Sequence, residues 1–407
     1  MTEGNLLQDL LHQRGAPGRF DAQDALPTRR AEAWKYTDLK RLEKIGWTVW
    51  LAEDRHGLTQ VPDILPEIEG AVNIVLVNGF LDRDLSDLDR LPRGLSVEAG
   101  PAAEAWGDGF TDRLSDALTQ EELSIRVDEG AVIDTPIHLR HVTWGADRDA
   151  AIAHAARVSI TVERGGGMTV IESHATAQGR GFSVPSLGIS LGEGAKLGLY
   201  SALAEDRDSA QLALVDIGVS TGAVLDSFIL ATGAGLARRE TRILMAGERG
   251  EAALSGSYVG RGDALIDNTT FVTHAAENAV SRQFFRGVLD DASRGVFQGK
   301  VMVCEGAQGT DGQQQHKALL LSEKAEVDAK PELEIYADDV QCAHGATIGA
   351  LDEDQLFYMR ARGLPELQAR ALLTESFLAE AVQKITNEAV RTAFQEKLTR
   401  ALNGGTA

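Results

Sequence analysis

Two cysteines in 407 residues are too few for a disulfide framework, and they point to a reducing cytoplasm as the setting. Aromatic side chains make up only 5% of the chain, which leaves little for the stacking platforms that carbohydrate grooves need. Basic residues number 40 against 61 acidic ones, and the net charge of −21 argues against a surface for nucleic acid or for an anionic membrane. The longest fully apolar run is a handful of residues around Ile74, Val75, Leu76 and Val77, so no membrane span is expected. Familiar catalytic signatures are also missing. The run G-V-F-Q-G-K-V at 295–301 is one residue short of a phosphate loop and lacks its hydroxyl, so no ATP site of the chain's own is expected. Gly233 and Gly235 are followed by Arg238 where a dinucleotide fingerprint needs a third glycine. H-E-x-x-H, G-x-S-x-G and C-x-x-C do not occur.

Glycine, by contrast, is abundant at 42 residues, beside 43% hydrophobic and 25% charged residues, a globular composition with many tight turns. From Leu123 onward short strand patterns follow one another, and no stretch between Gly165 and Ala350 keeps a helical apolar period for more than about two turns. Within this region Gly194, Gly222, Gly250, Asn278 and Gly306 recur at equal steps, each opening on small residues and a short strand. A fixed period of this size signals stacked coils that bury their faces only against their neighbours. The expectation is a mainly β chain with a right-handed parallel β-helix core. An antiparallel sandwich is the alternative, but its Asn-Gly and Asp-Gly hairpin turns are rare here.

Three regions follow: a mixed, partly helical N-terminal region over 1–122, the β-helix over 123–351 and a helical C-terminal region over 352–407. In the first, Trp34 and Tyr36 read as anchors of a surface helix, and 71–80 as a strand buried on both faces. Residues 81–122 show no clear organisation. In the last, Leu373, Phe377, Leu378, Ala381, Val382, Ile385 and Ala389 form one apolar stripe, and Thr386 or Asn387 separates it from a second helix carrying Val390, Phe394, Leu398 and Leu402. Such helices suit a hydrophobic cap on the solenoid or a docking platform for another protein.

The chemistry-bearing stretch is D-D-V-Q-C-A-H-G-A-T-I-G, residues 338–349. On a strand, Cys342 and His344 project from the same face. Thiol and imidazole side by side suit iron or zinc, or a nucleophile with its base. They also suit a small core cysteine beside a hydrogen-bonded histidine. Cys304 reads as a buried strand residue and His316 as a residue at a loop or strand end. Asp352, Glu353 and Asp354 supply a cap and first-turn acids for a helix beginning around Leu356. Paired acids such as Glu332 with Glu334 and Asp338 with Asp339 keep a β-helix enzyme acting on acidic polysaccharide open as a rival.

The run K-P-E-L-E-I-Y-A-D-D-V-Q-C-A-H-G-A-T at 330–347 resembles the SufB/SufD family of the SUF iron–sulfur cluster assembly system. So do T-D-G-Q-Q at 310–314 and Q-L-F-Y-M-R-A-R-G at 355–363, while R-A-E-A-W-K-Y-T at 30–37 looks like the SufD branch. Ala343 stands where the family pattern has Ser or another small residue. The resemblance implies a non-catalytic scaffold that pairs with a SufB-type paralogue through the β-helix. It also implies a SufC ATPase docked on the C-terminal helices. By matching position, His344, with Cys342 beside it, would be a candidate ligand of iron or a transient iron–sulfur cluster shared with SufB at that interface. A structural homodimer, in which the pair is only core, is the remaining alternative.

Overall fold

The computed structural model describes residues 6–15, 26–54, 56–102 and 107–402. Its strands lie in two sheets, one of 12 strands and one of 10, and the chain alternates between them coil after coil. Each strand of the repetitive region pairs in parallel with the strand one coil earlier and one coil later, the parallel β-helix that the repeat implies. Among the described residues, antiparallel pairs occur only at the beginning, Val72–Val77 with Phe80–Asp82 and Leu95–Pro101 with Glu121–Val127.

One corner of the helix explains the sequence period and corrects its register. Gly130, Gly165, Gly194, Gly222, Arg249, Asn278 and Gly309 all adopt positive φ. Each donates its N–H to the carbonyl just before the corresponding corner of the next coil, as from Gly194 to Thr221 and from Asn278 to Gln308. From Gly194 the corners fall at Gly222, Arg249, Asn278 and Gly309, so the coils differ in length where the sequence pattern suggests a constant step. Gly250 and Gly306 are therefore not the corner residues. Arg249 takes the left-handed position beside the first and Gly309 the one beyond the second.

Between the sheets, Val158, Ile160 and Val162 face Val170, Leu199 and Leu225 in one dry core. The strand Val72–Val77 is buried on both faces, Ile74 and Leu76 in that core and Val75 and Val77 beneath Val142 and a loop. Residues 81–122, unreadable in the sequence, contain the strand Leu95–Pro101 and a helix.

Among the described residues, five helices flank the solenoid: α1 (Leu6–Arg14), α2 (Phe110–Leu118), α3 (Glu353–Ala361), α4 (Glu366–Val382) and α5 (Glu388–Leu402). The N-terminal motif folds as a 3-10 turn, Glu32–Trp34, instead of a longer surface helix. Trp34 is buried beneath the Arg238 guanidinium, 4.4 Å from its ring centre, and Thr37 bonds the Asp267 carboxylate that also pairs with Arg238. At the other end, α4 and α5 lie along the outer flank of the 10-stranded sheet, with Leu378, Val382, Val390 and Phe394 packed on Tyr200, Phe228 and Leu230. They buttress the side of the solenoid and leave its last coil open.

Two further sequence readings change. Cys304 is half-buried in the turn after the strand Arg294–Val303. His316 lies within the strand Thr310–Leu320, fully buried, stacked 4.8 Å from Phe297 with its Nε2 2.7 Å from the Tyr258 hydroxyl.

Candidate functional site

The last coil consists of the strands Glu326–Ile335 and Val340–Gly349, each terminal in its sheet. Val340–Gly349 pairs with Thr310–Leu320, setting Cys342 over Gly312 and His344 over Gln314. Gly312, Gln314 and His316 point into the solenoid, so Cys342, His344 and Ala346 line its mouth. The structure thus places the two residues on one face, with His344 exposed and Cys342 half-buried against the core.

Burial raises the Cys342 thiol, with the nearby Asp311 carboxylate adding to the shift against a bond from the Gly312 backbone. A cation is what would draw such a thiol to the thiolate. Beneath His344, Gln314 is buried, and neither of its amide atoms finds a hydrogen-bond partner among the described residues, so the mouth offers polar capacity that these residues do not use.

The two terminal edges differ in kind. Glu326–Ile335 carries Lys330, Pro331 and the acids Glu326, Asp328, Glu332 and Glu334, residues that keep an edge from adding another strand. Its carboxylates are engaged in part, Glu334 with Lys300 at 2.7 Å and Glu332 with Lys330 at 3.2 Å, as a solvated face requires. Val340–Gly349 has no proline, lysine or acid, and its residues from Ala343 to Gly349 are exposed. Next to it, Asp352 caps α3, its Oδ1 accepting from the backbone of Asp354 at 2.9 Å and of Gln355 at 3.1 Å. This helix and the start of α4 expose Phe357, Tyr358 and Leu367 at 71%, 59% and 84%, a patch of the kind that marks contact surfaces.

A second cluster was not singled out in the sequence. His141 and His174 are register partners on neighbouring strands, and Glu172 lies two residues before His174 on the same inward face. The three are buried and, among the described residues, form the only group of three or more His, Cys, Asp or Glu side chains with metal-ligand spacing.

A family profile described as "SUF system FeS cluster assembly, SufBD core domain" matches residues 144–377. The iron–sulfur cluster assembly protein SufD of Escherichia coli is 30% identical over 93% of this chain and 90% of its own length. An iron–sulfur cluster assembly SufBD family protein of Synechocystis is 26% identical, over 95% of this chain and 89% of that protein. The chloroplastic protein ABCI7 of Arabidopsis thaliana is 27% identical, over 90% of this chain and 80% of that protein. The open last coil and the lateral helices thus belong to a chain that is a member of the SufBD family of SUF iron–sulfur cluster assembly proteins.

Proposed function

We propose that this chain is the SufD-type, non-catalytic scaffold subunit of a SUF assembly complex, working in the cytoplasm. It pairs with a SufB-type paralogue edge to edge through Val340–Gly349 and supports iron acquisition and nascent cluster formation at that junction. His344 and Cys342 supply ligands from this side, and the paralogue supplies the rest of the coordination sphere. The SufC-type ATPase docks on the apolar patch of α3 and the start of α4. The observation that carries the reading is the unprotected terminal strand with its inward-facing Cys342 and His344. Strand addition to such an edge supplies main-chain bonds, and alternate side chains supply specificity.

Lysines at Ala343 and Thr347, both exposed and on the outward face, are expected to change stability by no more than about 0.5 kcal/mol. They are expected to abolish co-purification with the paralogue. Retention of the paired complex would refute the edge as interface, and a shift from homodimer to monomer would mean that a second copy of the chain is the partner. Within the assembled complex, His344→Ala is expected to lower cluster yield by at least about tenfold. Unchanged yield would refute its role as a ligand.

A further inference from the structure

Deep inside the solenoid, the Glu172 carboxylate is held from one side only. Its Oε2 accepts from Ser201 Oγ at 2.7 Å and from Arg239 at 3.2 Å. Its Oε1 faces His141 Nε2 at 3.5 Å and His174 Nε2 at 3.2 Å. Neither of these nitrogens has a hydrogen-bond partner among the described residues, although both are buried. The second terminal nitrogen of Arg239 is spent on Ser201 Oγ at 3.2 Å, which leaves Oε1 to the two imidazoles. Ligands about 2.1 Å from one cation stand about 3.4 Å apart in a tetrahedron and about 3.0 Å apart in an octahedron. The two Oε1 separations match that spacing.

We propose that His141, Glu172 and His174 form a buried site for one divalent first-row transition-metal ion of the ferrous iron or zinc class. Two imidazoles with one carboxylate make the donor set for such ions, with positions left open. Ser201 and Arg239 orient the carboxylate from behind, as outer-shell partners do. The parallel ladder stacks the two rings, 4.3 Å apart and 9° from parallel, with both Nε2 atoms on the side of the shared Oε1. The site is separate from the mouth of the solenoid. Six strand steps divide Gly167–Gln178 from Val340–Gly349, about 29 Å at the usual spacing. In the folded chain such an ion would tie two successive coils of the solenoid together from inside.

The test is made on the full, tag-free chain purified without chelator. Elemental analysis is expected to find close to one equivalent of metal. After chelation and slow reloading with cobalt(II) alone, the visible spectrum is expected to show ligand-field bands without the near-ultraviolet charge transfer of a thiolate. His141→Asn and His174→Asn are expected to weaken cobalt binding at least about 10–100-fold, and His344→Ala to leave it unchanged. Metal-free protein that takes up no cobalt would overturn the proposal. So would a thiolate band in the unsubstituted chain, a result that stands even if the asparagine variants fail to fold.

Discussion

Acidification from pH 7.5 to 5 is expected to remove on the order of 5 kcal/mol from the stability of this fold. The cause is a set of imidazoles sealed from water. His138, His154, His274 and His316 are all buried. Burial is the first cause of the depression in each, taking His138 and His154 down to about 3 and His274 and His316 to about 4. Neighbouring cationic groups add to it, Arg140 at His138 and Arg286 at His316, while Asp311 works the other way at His274. In the unfolded chain these groups protonate near 6.5. A base with a depressed folded pKa lets the unfolded state bind protons first. Its stability is therefore complete above about 6.5 and is lost as the pH falls through that value towards the folded one, by about 2 kcal/mol per imidazole at pH 5. Glu205 runs the opposite way. Burial pushes it up to about 8, so its cost to the fold is present at neutral pH and relieved on acidification, offsetting about 3 kcal/mol of the total. Urea denaturation at pH 7.5, 6 and 5 checks the balance. Stability that holds level or rises across that range would contradict the burial of these histidines.

Much of the architecture was legible because a solenoid writes its geometry into a period. Glycine or asparagine near a corner restarts a strand each time, and a run of such restarts in one register announces the stacking. The register was less legible, since Arg249 occupies a left-handed corner that composition does not mark, and coils of unequal length slide the later glycines off the count. Asp352 and Asn387 kept their expected places because capping is local: Asn387 accepts from the Val390 backbone at 3.2 Å. Cys342 and His344 were readable for the same reason, two residues apart on one strand. The cluster of His141, Glu172 and His174 was not. Local motifs search at helical or strand spacing, whereas a full coil of chain separates His141 from His174, and only the parallel ladder makes them neighbours. His316 was misplaced on similar grounds: a histidine after three glutamines looks like a loop or strand-end residue until alternate positions of the strand are seen to enter a core.

The sequence left the C-terminal helices open between a cap and a platform, and their packing predicts what a single truncation of α5 would do. Phe394→Ala is expected to cost about 3–5 kcal/mol. Phe394 is fully buried, edge-on to Phe228 with ring centres 5.5 Å apart, in the cluster that seals α4 and α5 against the 10-stranded sheet. Polar ties reinforce the seal without replacing it. Ser257 Oγ donates to the Leu378 carbonyl at 2.8 Å, and Asp226 accepts from the Thr386 backbone at 3.0 Å. Because Tyr200 and Phe228 are strand residues of the solenoid, the loss should fall on the unfolding of strands and helices together, read as one shifted transition in far-ultraviolet circular dichroism. Helical signal lost well before strand signal would instead mark α4 and α5 as a separately stable unit. Phe357→Ala on α3 is the matching control. Its ring is 71% exposed, so the same deletion should move stability by no more than about 0.5 kcal/mol while weakening the proposed docking of the ATPase. The contrast also explains why removing residues 352–407 would be a poor test of the proposed docking: it strips the cover from Phe228 and Leu230, and loss of a partner would then report on the fold of the solenoid as much as on its contact surface.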